Sequence, residues 1–570
     1  MTIRQAASIT GTAALLIAVF ILPLMLDPNL PGELPLPRVL LNVLPLGILA
    51  LLVFGLTRRP ILSTVWLFGL AHLLFFVNQL KLTELQEPVV FNDVLLMPQV
   101  ITGFDLLGSY VNSGTLLLAA FIFLALCVIG WKWERPIFGW VPGLAVFTLS
   151  GLMLSSLDSA EQPLGSLYHS DWITARDWEA RENVKMNGLI ATLVRSSSNM
   201  LYRFPEVDPG GIRRPDFLPD LPAEPRTARE DYPDIVVVLS ESFFDPLVLN
   251  EVEPCDYLAR WCELKSSGQA GWLVVPTYGG NTPRSEFELL TGIPFSTFGG
   301  MDYPYVSVVN SAMYSIPWYL KSMGYRTTAI HTNSRTFWRR QNALPRLGFD
   351  KYIALEDIQQ PDRVGFWPAD SVLTEQVLAL FEPPEQDRPQ FVLAISMENH
   401  GPWNENRRSR LPESVADITL PVAAAEIPAK PLQQYLWHAE NVVTELERLW
   451  QFTRQRSRKT VLIFFGDHLP ALNDSFKALG FDNGKAAFEQ LTPYLVLSNF
   501  PLRAQLPQKM HLHQMLVQAL YAAGLPLGES YGNLRAAYIQ VLATADGRRE
   551  KVLDEYLQQL QTALLHVPMD

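Results

Sequence analysis

Residues 235–241, Ile-Val-Val-Val-Leu-Ser240-Glu241, set an apolar run of strand length directly against a hydroxyl and a carboxylate. Three further runs repeat this arrangement. Thr-Thr-Ala-Ile at 327–330 leads into His331, and Phe-Val-Leu-Ala-Ile at 391–395 leads into Met397-Glu398-Asn399-His400. Val-Leu-Ile-Phe-Phe at 461–465 leads into Gly466-Asp467-His468. Between the runs lie helical stretches such as 312–322 and 434–452, and that alternation predicts an α/β domain with a largely parallel sheet and helices on both faces. In such sheets the carboxyl ends of the strands face the binding crevice. Glu, His, His and an Asp-His pair delivered to one edge therefore predict an active site there.

Outward from this core, the chain has 570 residues, enough for several domains, and is 48% hydrophobic. Its mean hydropathy is +0.11. A net charge of -12 with no basic stripe excludes nucleic acid as a partner. The apolar surplus sits at the N-terminus, where residues 6–26, 39–56, 61–80, 115–131 and 137–156 are each apolar and near the ~20 residues that a spanning helix needs. Arg4, Arg58-Arg59, and Lys132 with Arg135 flank alternate ends of these spans, whereas 27–38 and 81–114 carry more acid than base. The positive-inside rule then places the N-terminus in the cytoplasm and everything after residue 156 outside. No small-x-small cleavage site precedes Asp27, so the first span reads as an uncleaved anchor. Apolar stretches at 94–97 and 104–107 suit either the lipid interface or the helix bundle.

The expected organisation is a five-helix membrane domain (1–156), a helical and Pro-rich linker (157–232), a catalytic domain (233–535) and a helical tail (536–570). Seven prolines between 205 and 233, with Gly210-Gly211, read as extended chain. A stripe at Leu553, Tyr556, Leu557, Leu560 and Leu564 predicts an amphipathic helix packed on the domain. Cys127 falls in the fourth span and reads as a packing residue. Cys255 and Cys262 lie where disulfides persist, and they can bond if 256–261 is a loop, since seven residues of straight helix would separate them by roughly 10 Å.

Asp467-His468 offers a hard oxygen and an imidazole nitrogen to one metal ion, with Gly466 allowing a sharp turn. Glu241 suits either a metal or a helix N-terminus. In Tyr278-Gly-Gly-Asn-Thr282-Pro-Arg-Ser-Glu-Phe-Glu288, the glycines permit close backbone approach, and Thr282 is set at the start of a helix. That position favours an anion, and it equally suits a plain N-cap before Pro283.

Together, Glu241-Ser-Phe, Gly-Gly-Asn-Thr282-x3-Glu-Phe-Glu-x2-Thr-Gly, His331-x6-Trp338-x-Arg340, Asn399-His400-Gly-Pro-Trp and Phe-Gly-Asp467-His468-Leu-Pro resemble the alkaline-phosphatase superfamily. Within it, they resemble the lipoteichoic-acid synthase branch of membrane phosphoglycerol transferases. The resemblance covers roughly residues 234–500, with its elements in family order. It implies one divalent ion, manganese first and magnesium or zinc as alternatives, held by Glu241, Thr282, Asp467 and His468. It further implies Thr282 as nucleophile, a phosphoglycerol pocket of His331, Trp338 and Arg340, and His400 as the remaining catalytic and substrate-binding histidine. Arg340 is expected to fork onto phosphoryl oxygens. The donor implied is phosphatidylglycerol. The acceptor expected is an extracytoplasmic glycan or glycerophosphate polymer, a periplasmic glucan first.

Pro283 directly follows Thr282, which departs from the formylglycine sulfatases, whose Cys or Ser nucleophile has Pro two residues later. Phosphoethanolamine transfer is the second enzymatic reading. A membrane-anchored binding protein with a dead site is the third.

Overall fold

The computed structural model describes residues 3–30, 35–96, 112–174, 180–197, 214–218, 231–252, 255, 257–298, 303–382, 388–543 and 547–565. The chain divides near residue 201 into two compact units.

The first unit holds five apolar helices, Ile3–Leu26, Leu36–Thr57, Pro60–Leu85, Ser113–Trp133 and Trp140–Ser155. Leu36–Thr57, Pro60–Leu85 and Gly114–Trp133 are long and apolar enough to cross a bilayer, while Thr10–Leu26 and Trp140–Ser155 are shorter apolar helices. The fifth expected span needs correcting in length. Its 16 helical residues reach about 24 Å, short of the ~30 Å hydrocarbon core. Leu117, Phe121 and Leu124 on the fourth helix are exposed, as lipid-facing side chains would be. Phe91–Leu96 forms a 3-10 turn, and the apolar stretch at 104–107 lies outside the described residues.

Within the segment expected as a helical and Pro-rich linker, the described residues 157–174 and 180–197 pack into the first unit. Tyr168, Ile173 and Ala191 share a core with Leu41, Ile48 and Leu157. Val184, Leu189 and Ile190 pack with Leu15, Val19 and Leu46. The cause lies in two polar side chains. Asp27 Oδ2 accepts from the backbone N–H of Leu189 (2.7 Å) and Asn42 Oδ1 from that of Ala191 (3.0 Å). These satisfy first-turn donors that the Leu189–Ser197 helix leaves unpaired. Most of the Pro-rich stretch, 198–213 and 219–230, lies outside the described residues.

The second unit is built on an eight-stranded sheet in the order β10-β2-β9-β8-β1-β7-β3-β4. Its strands are β1 (Asp234–Ser240), β2 (Gln269–Val274), β3 (Arg326–His331), β4 (Lys351–Ala354), β7 (Gln390–Ile395), β8 (Thr460–Gly466), β9 (Thr492–Ser498) and β10 (Lys509–His511). The short strands β5 (Arg363–Val364) and β6 (Trp367–Pro368) pair separately. Only β9 runs against the others, pairing antiparallel with β2 and β8. All of β1, β7 and β8 is buried, which is why they read as unbroken apolar runs rather than alternating ones. Val236, Val238, Val392, Leu462 and Phe464 pack on one face with Tyr435, Ala439, Val443 and Leu446 of the Pro431–Gln455 helix.

Two peripheral features also differ from or complete the expectation. The Gly528–Ala543 helix runs through the boundary expected at 535. The Gly547–Leu564 helix packs Leu553 and Tyr556 on Leu218 and Ala537. Cys255 and Cys262 are bonded, with Cα atoms 6.0 Å apart. Helix starts only at Ala259, so the straight-helix separation does not apply.

Candidate active site

The register of the parallel strands aligns the site. Leu239 lies beside Ile395 on one side and Phe465 on the other, and His331 lies beside Ile395. The carboxyl ends of β1, β8, β7 and β3 therefore share one edge. Gly466 is needed where β8 ends, because a Cβ there would sit 1.8 Å from the carbonyl oxygen of Phe243. This close approach brings Asp467-His468 against Glu241.

Glu241, Asp467 and His468 are buried and each offers one ligand atom, all within 4.8 Å of one another. His468 Nε2 lies 3.3 Å from Glu241 Oε1 and 3.3 Å from Asp467 Oδ2. Ser242 ties the two carboxylates together. Its N–H donates to Asp467 Oδ1 (2.8 Å) and its hydroxyl to Glu241 Oε1 (2.9 Å). Asp467 Oδ2 and His468 Nε2 are buried with no well-directed hydrogen bond, a cost that a bound cation would remove. Two carboxylates, an imidazole and a nearby hydroxyl suit a divalent ion.

Electrostatics agree with this. Burial pushes Asp467 up to about 7, aided by the charge of Glu241 and opposed by His468. Burial pulls His468 down, but the charges of Asp467 and Glu241 outweigh it and hold the imidazole up at about 9. Burial opposes ionisation of Glu241. The charge of His400, then the close contact and charge of His468, with a hydrogen bond from Ser242, nevertheless hold it below the ordinary carboxylate range. A proton on His468 thus offsets charge where a cation would.

Thr282 arrives from β2, whose carboxyl end shares the same edge. Gly279 (φ 68°) and Asn281 (φ 62°) take the left-handed conformation that glycine and asparagine tolerate best. The Gly279 N–H donates to Leu469 O (3.0 Å), and Ser285 Oγ donates to Asp467 O (2.9 Å), so this loop is fastened to the Asp467-His468 turn. Thr282 begins the wholly buried Thr282–Thr291 helix, and its hydroxyl donates to Glu241 Oε2 at 3.1 Å.

His331 is buried, and burial followed by the Arg340 charge pulls it well below its ordinary value, so it is neutral. Its Nδ1 donates to Ile395 O (3.1 Å), leaving buried Nε2 as an unpaired acceptor. His400 is half-buried, with Nδ1 2.9 Å from Gly401 O. Trp338 is half-buried, its ring 5.2 Å from that of Tyr303. Trp338 (φ 56°) and Arg339 (φ 58°) are successive left-handed residues without glycine, a strain found most often at functional sites.

Arg340 requires a correction. Its expected fork onto phosphoryl oxygens is committed to Glu286, with Nε donating to Oε1 (3.0 Å) and Oε2 (3.2 Å) and Nη2 to Oε1. Both side chains are buried, and Tyr305 Oη also donates to Glu286 (2.9 Å). Only Nη1, in a long 3.4 Å contact with Phe337 O, stays uncommitted. Sequence reasoning quoted Glu286 without giving it a role, because nothing local marks a carboxylate whose partner is 54 residues away. Ser242 and Ser285 were missed for the same reason, as was a buried group of Glu398, Arg407 and His438.

Relatives extend the picture. The chain is 30% identical over 297 residues to a "Putative cyclic beta-1,2-glucan modification protein" of Rhizobium meliloti, a match spanning 50% of this chain and 44% of that protein. It is 26% identical to the "Capsular polysaccharide biosynthesis protein RkpI" of the same organism, over 74% of this chain and 75% of the other. Among solved structures, the lipooligosaccharide phosphoethanolamine transferase A of Neisseria meningitidis superposes with a TM-score of 0.51 at 12% identity. That superposition covers 93% of this chain and 98% of the other, and shows a shared fold of apolar helices followed by an α/β domain. Residues 233–525, just over half of the chain and the whole of the site above, match the family described as Sulfatase, and the chain belongs to that family within the alkaline-phosphatase superfamily.

Proposed function

We propose that the protein is a membrane-bound, metal-dependent transferase that moves phosphoglycerol from phosphatidylglycerol, through a glycerophosphoryl-Thr282 intermediate, to an extracytoplasmic glycan. The observation that carries this reading is the Thr282 hydroxyl, at the start of a buried helix and bonded to Glu241 beside Asp467 and His468. A divalent ion held by Glu241, Asp467, His468 and Thr282 would polarise the phosphoryl oxygens and lower the pKa of the hydroxyl.

The steps follow from the side chains. Thr282 Oγ1 attacks the phosphodiester in line, passing its proton to Glu241, and the P–O bond to diacylglycerol breaks. Protonated His400 supplies the proton that the departing oxygen takes. Neutral His400 then accepts the proton of the acceptor hydroxyl, whose oxygen displaces Thr282. Neutral His331 has a free Nε2 that can accept a hydrogen bond from a glycerol hydroxyl. In this reading the aromatic face of Trp338, carried on the left-handed turn at Trp338-Arg339, would pack against the head group.

The apolar helices anchor the chain in the membrane that carries the lipid donor. The Cys255–Cys262 bond and the positive-inside pattern favour a catalytic unit outside the cytoplasm, at a bacterial inner membrane. Both Rhizobium relatives carry glycan-related names, which supports a glucan or capsular glycan as acceptor.

Purified protein supplied with manganese and labelled phosphatidylglycerol is expected to release diacylglycerol, and Thr282→Ala to release none. Equal release by both proteins would sink the mechanism. Turnover of phosphatidylethanolamine alone would replace the donor assignment.

A further inference from the structure

Beneath His400 lies a buried polar chain that the transfer chemistry does not touch. Arg407 is fully buried, its guanidinium 4.3 Å from the ring centroid of Trp403. It donates through Nη1 to the carbonyl of His400 and through Nη2 to that of Glu398 (2.6 Å) and to His438 Nε2 (2.9 Å). His438 Nδ1 in turn donates to Glu398 Oε1 at 3.0 Å. The other carboxylate oxygen of Glu398 accepts from the backbone N–H of Asp370 (2.8 Å), and Asn441 adds a donor to Oε1 (2.6 Å).

Protonation states close the chain. Burial, then the Arg407 charge, pulls His438 down to about 4, so it is neutral and can donate one way and accept the other. Burial opposes ionisation of Glu398, but hydrogen bonds from His438, Asn441 and the Asp370 N–H hold it below the ordinary range, so it is ionised. The cation of Arg407 and the anion of Glu398 are thus joined through a neutral imidazole, away from solvent.

This chain grips the backbone on both sides of Asn399 and on the carbonyl of His400. A second donor, Trp367 Nε1, reaches the carbonyls of His400 (3.0 Å) and Gly401 (3.1 Å). Gly401 O is also the partner of His400 Nδ1, so fixing this carbonyl fixes which ring nitrogen faces the reaction. We propose that Arg407, braced by His438 and Glu398, holds the backbone of His400 while Trp367 holds the Gly401 carbonyl, and that as positioning residues they together keep His400 in its Nδ1-protonated form with Nε2 turned to the reacting centre. The inference rests on the transferase reading for what His400 does, though not for where it is held. A lysine could not replace Arg407, because a single ammonium lacks the planar fork that reaches two carbonyls and an imidazole together.

Two readouts on the full-length protein test this. In the first, ¹⁵N-histidine spectra are recorded, with the His400 signals identified by their loss in His400→Gln. Wild type should show a single Nδ1-protonated tautomer, and Arg407→Lys and Trp367→Phe should show mixed tautomers. In the second, diacylglycerol release is measured in a double-mutant cycle. Arg407→Lys should lower kcat about 100-fold with KM for the lipid little changed, as expected for a displaced catalytic group. It should lower kcat no further in a His400→Ala background. A merely structural role predicts an unchanged tautomer and losses that multiply, and either result overturns the proposal. Trp367→Phe, which leaves the charged chain intact, keeps the test decisive if Arg407→Lys does not fold. If wild type turns over no phospholipid, the transferase reading fails and the tautomer measurement alone decides the positioning role.

Discussion

Glu286→Gln should unfold the catalytic unit more readily than any loss of substrate contact would explain. Glu286 and Arg340 are 0% and 1% exposed, and the carboxylate receives Nε and Nη2 of the guanidinium together with the hydroxyl of Tyr305. Removing one partner of such a pair leaves an uncompensated buried charge, at a cost of about 3–5 kcal/mol. For a unit of this size, each kcal/mol shifts the melting temperature by about 2 °C, so the expected drop is about 6–10 °C. Glu286→Gln/Arg340→Met, which removes both charges, should lose less than the sum of its single variants. Tryptophan fluorescence during thermal unfolding of the detergent-solubilised protein measures all four. Arg340→Lys should also melt early, since an ammonium cannot fork onto a carboxylate. The reasoning is refuted if Glu286→Gln melts within about 1 °C of wild type. It is refuted equally if Arg340→Lys keeps the wild-type melting temperature while losing only affinity for the lipid, for that result would return Arg340 to the substrate.

Three further outcomes follow from the site. His438 is held down at about 4 when folded against about 6.5 when unfolded. Its contribution is therefore fully present above pH 6.5 and lost as pH falls towards 4, by about 3 kcal/mol in all. Melting temperatures from pH 7 to pH 4 should fall more steeply for wild type than for His438→Gln, and parallel curves would contradict this. Because Asp467 is pushed up to about 7 and His468 up to about 9 without a cation, protons compete with metal. Manganese affinity measured by calorimetry should rise from pH 6 to pH 9, chelation should abolish turnover, and a pH-independent affinity would sink the ligand assignment. His331→Phe keeps the bulk of the ring and removes Nε2, so kcat/KM for phosphatidylglycerol should fall about tenfold, the value of one hydrogen bond to a hydroxyl. An unchanged kcat/KM would remove His331 from the pocket.

The strand ends were legible in sequence because burial on both faces writes a parallel strand as an unbroken apolar run, so a polar residue at its end stands out. That is how Glu241, His331 and Asp467-His468 could be placed on one edge. The turn before Thr282 was legible from Gly-Gly-Asn before Pro283, since a positive φ at Gly279 and Asn281 needs such residues, but read locally Thr282 was a plain N-cap, and its role as nucleophile came only from the family resemblance. What stayed hidden was partner choice over long separations. Arg340 looked free to clamp a phosphate because the sequence does not say that Glu286 faces it. Arg407 and His438 carried no local mark, being tied to each other across 31 residues. The segment 157–197 read as a linker because its apolar faces are short. Its place was settled by Asp27, just past one apolar helix, and Asn42, inside the next, whose side chains cap a helix about 150 positions away.

The central claim is that Thr282 becomes covalently loaded by a phospholipid head group. Wild type incubated with phosphatidylglycerol and manganese, then quenched in acid and digested, should yield a peptide carrying a glycerophosphoryl group on Thr282. The adduct should be absent from Thr282→Ala and from metal-stripped protein. Diacylglycerol release without any adduct on Thr282, or an adduct that persists in Thr282→Ala, would contradict the account.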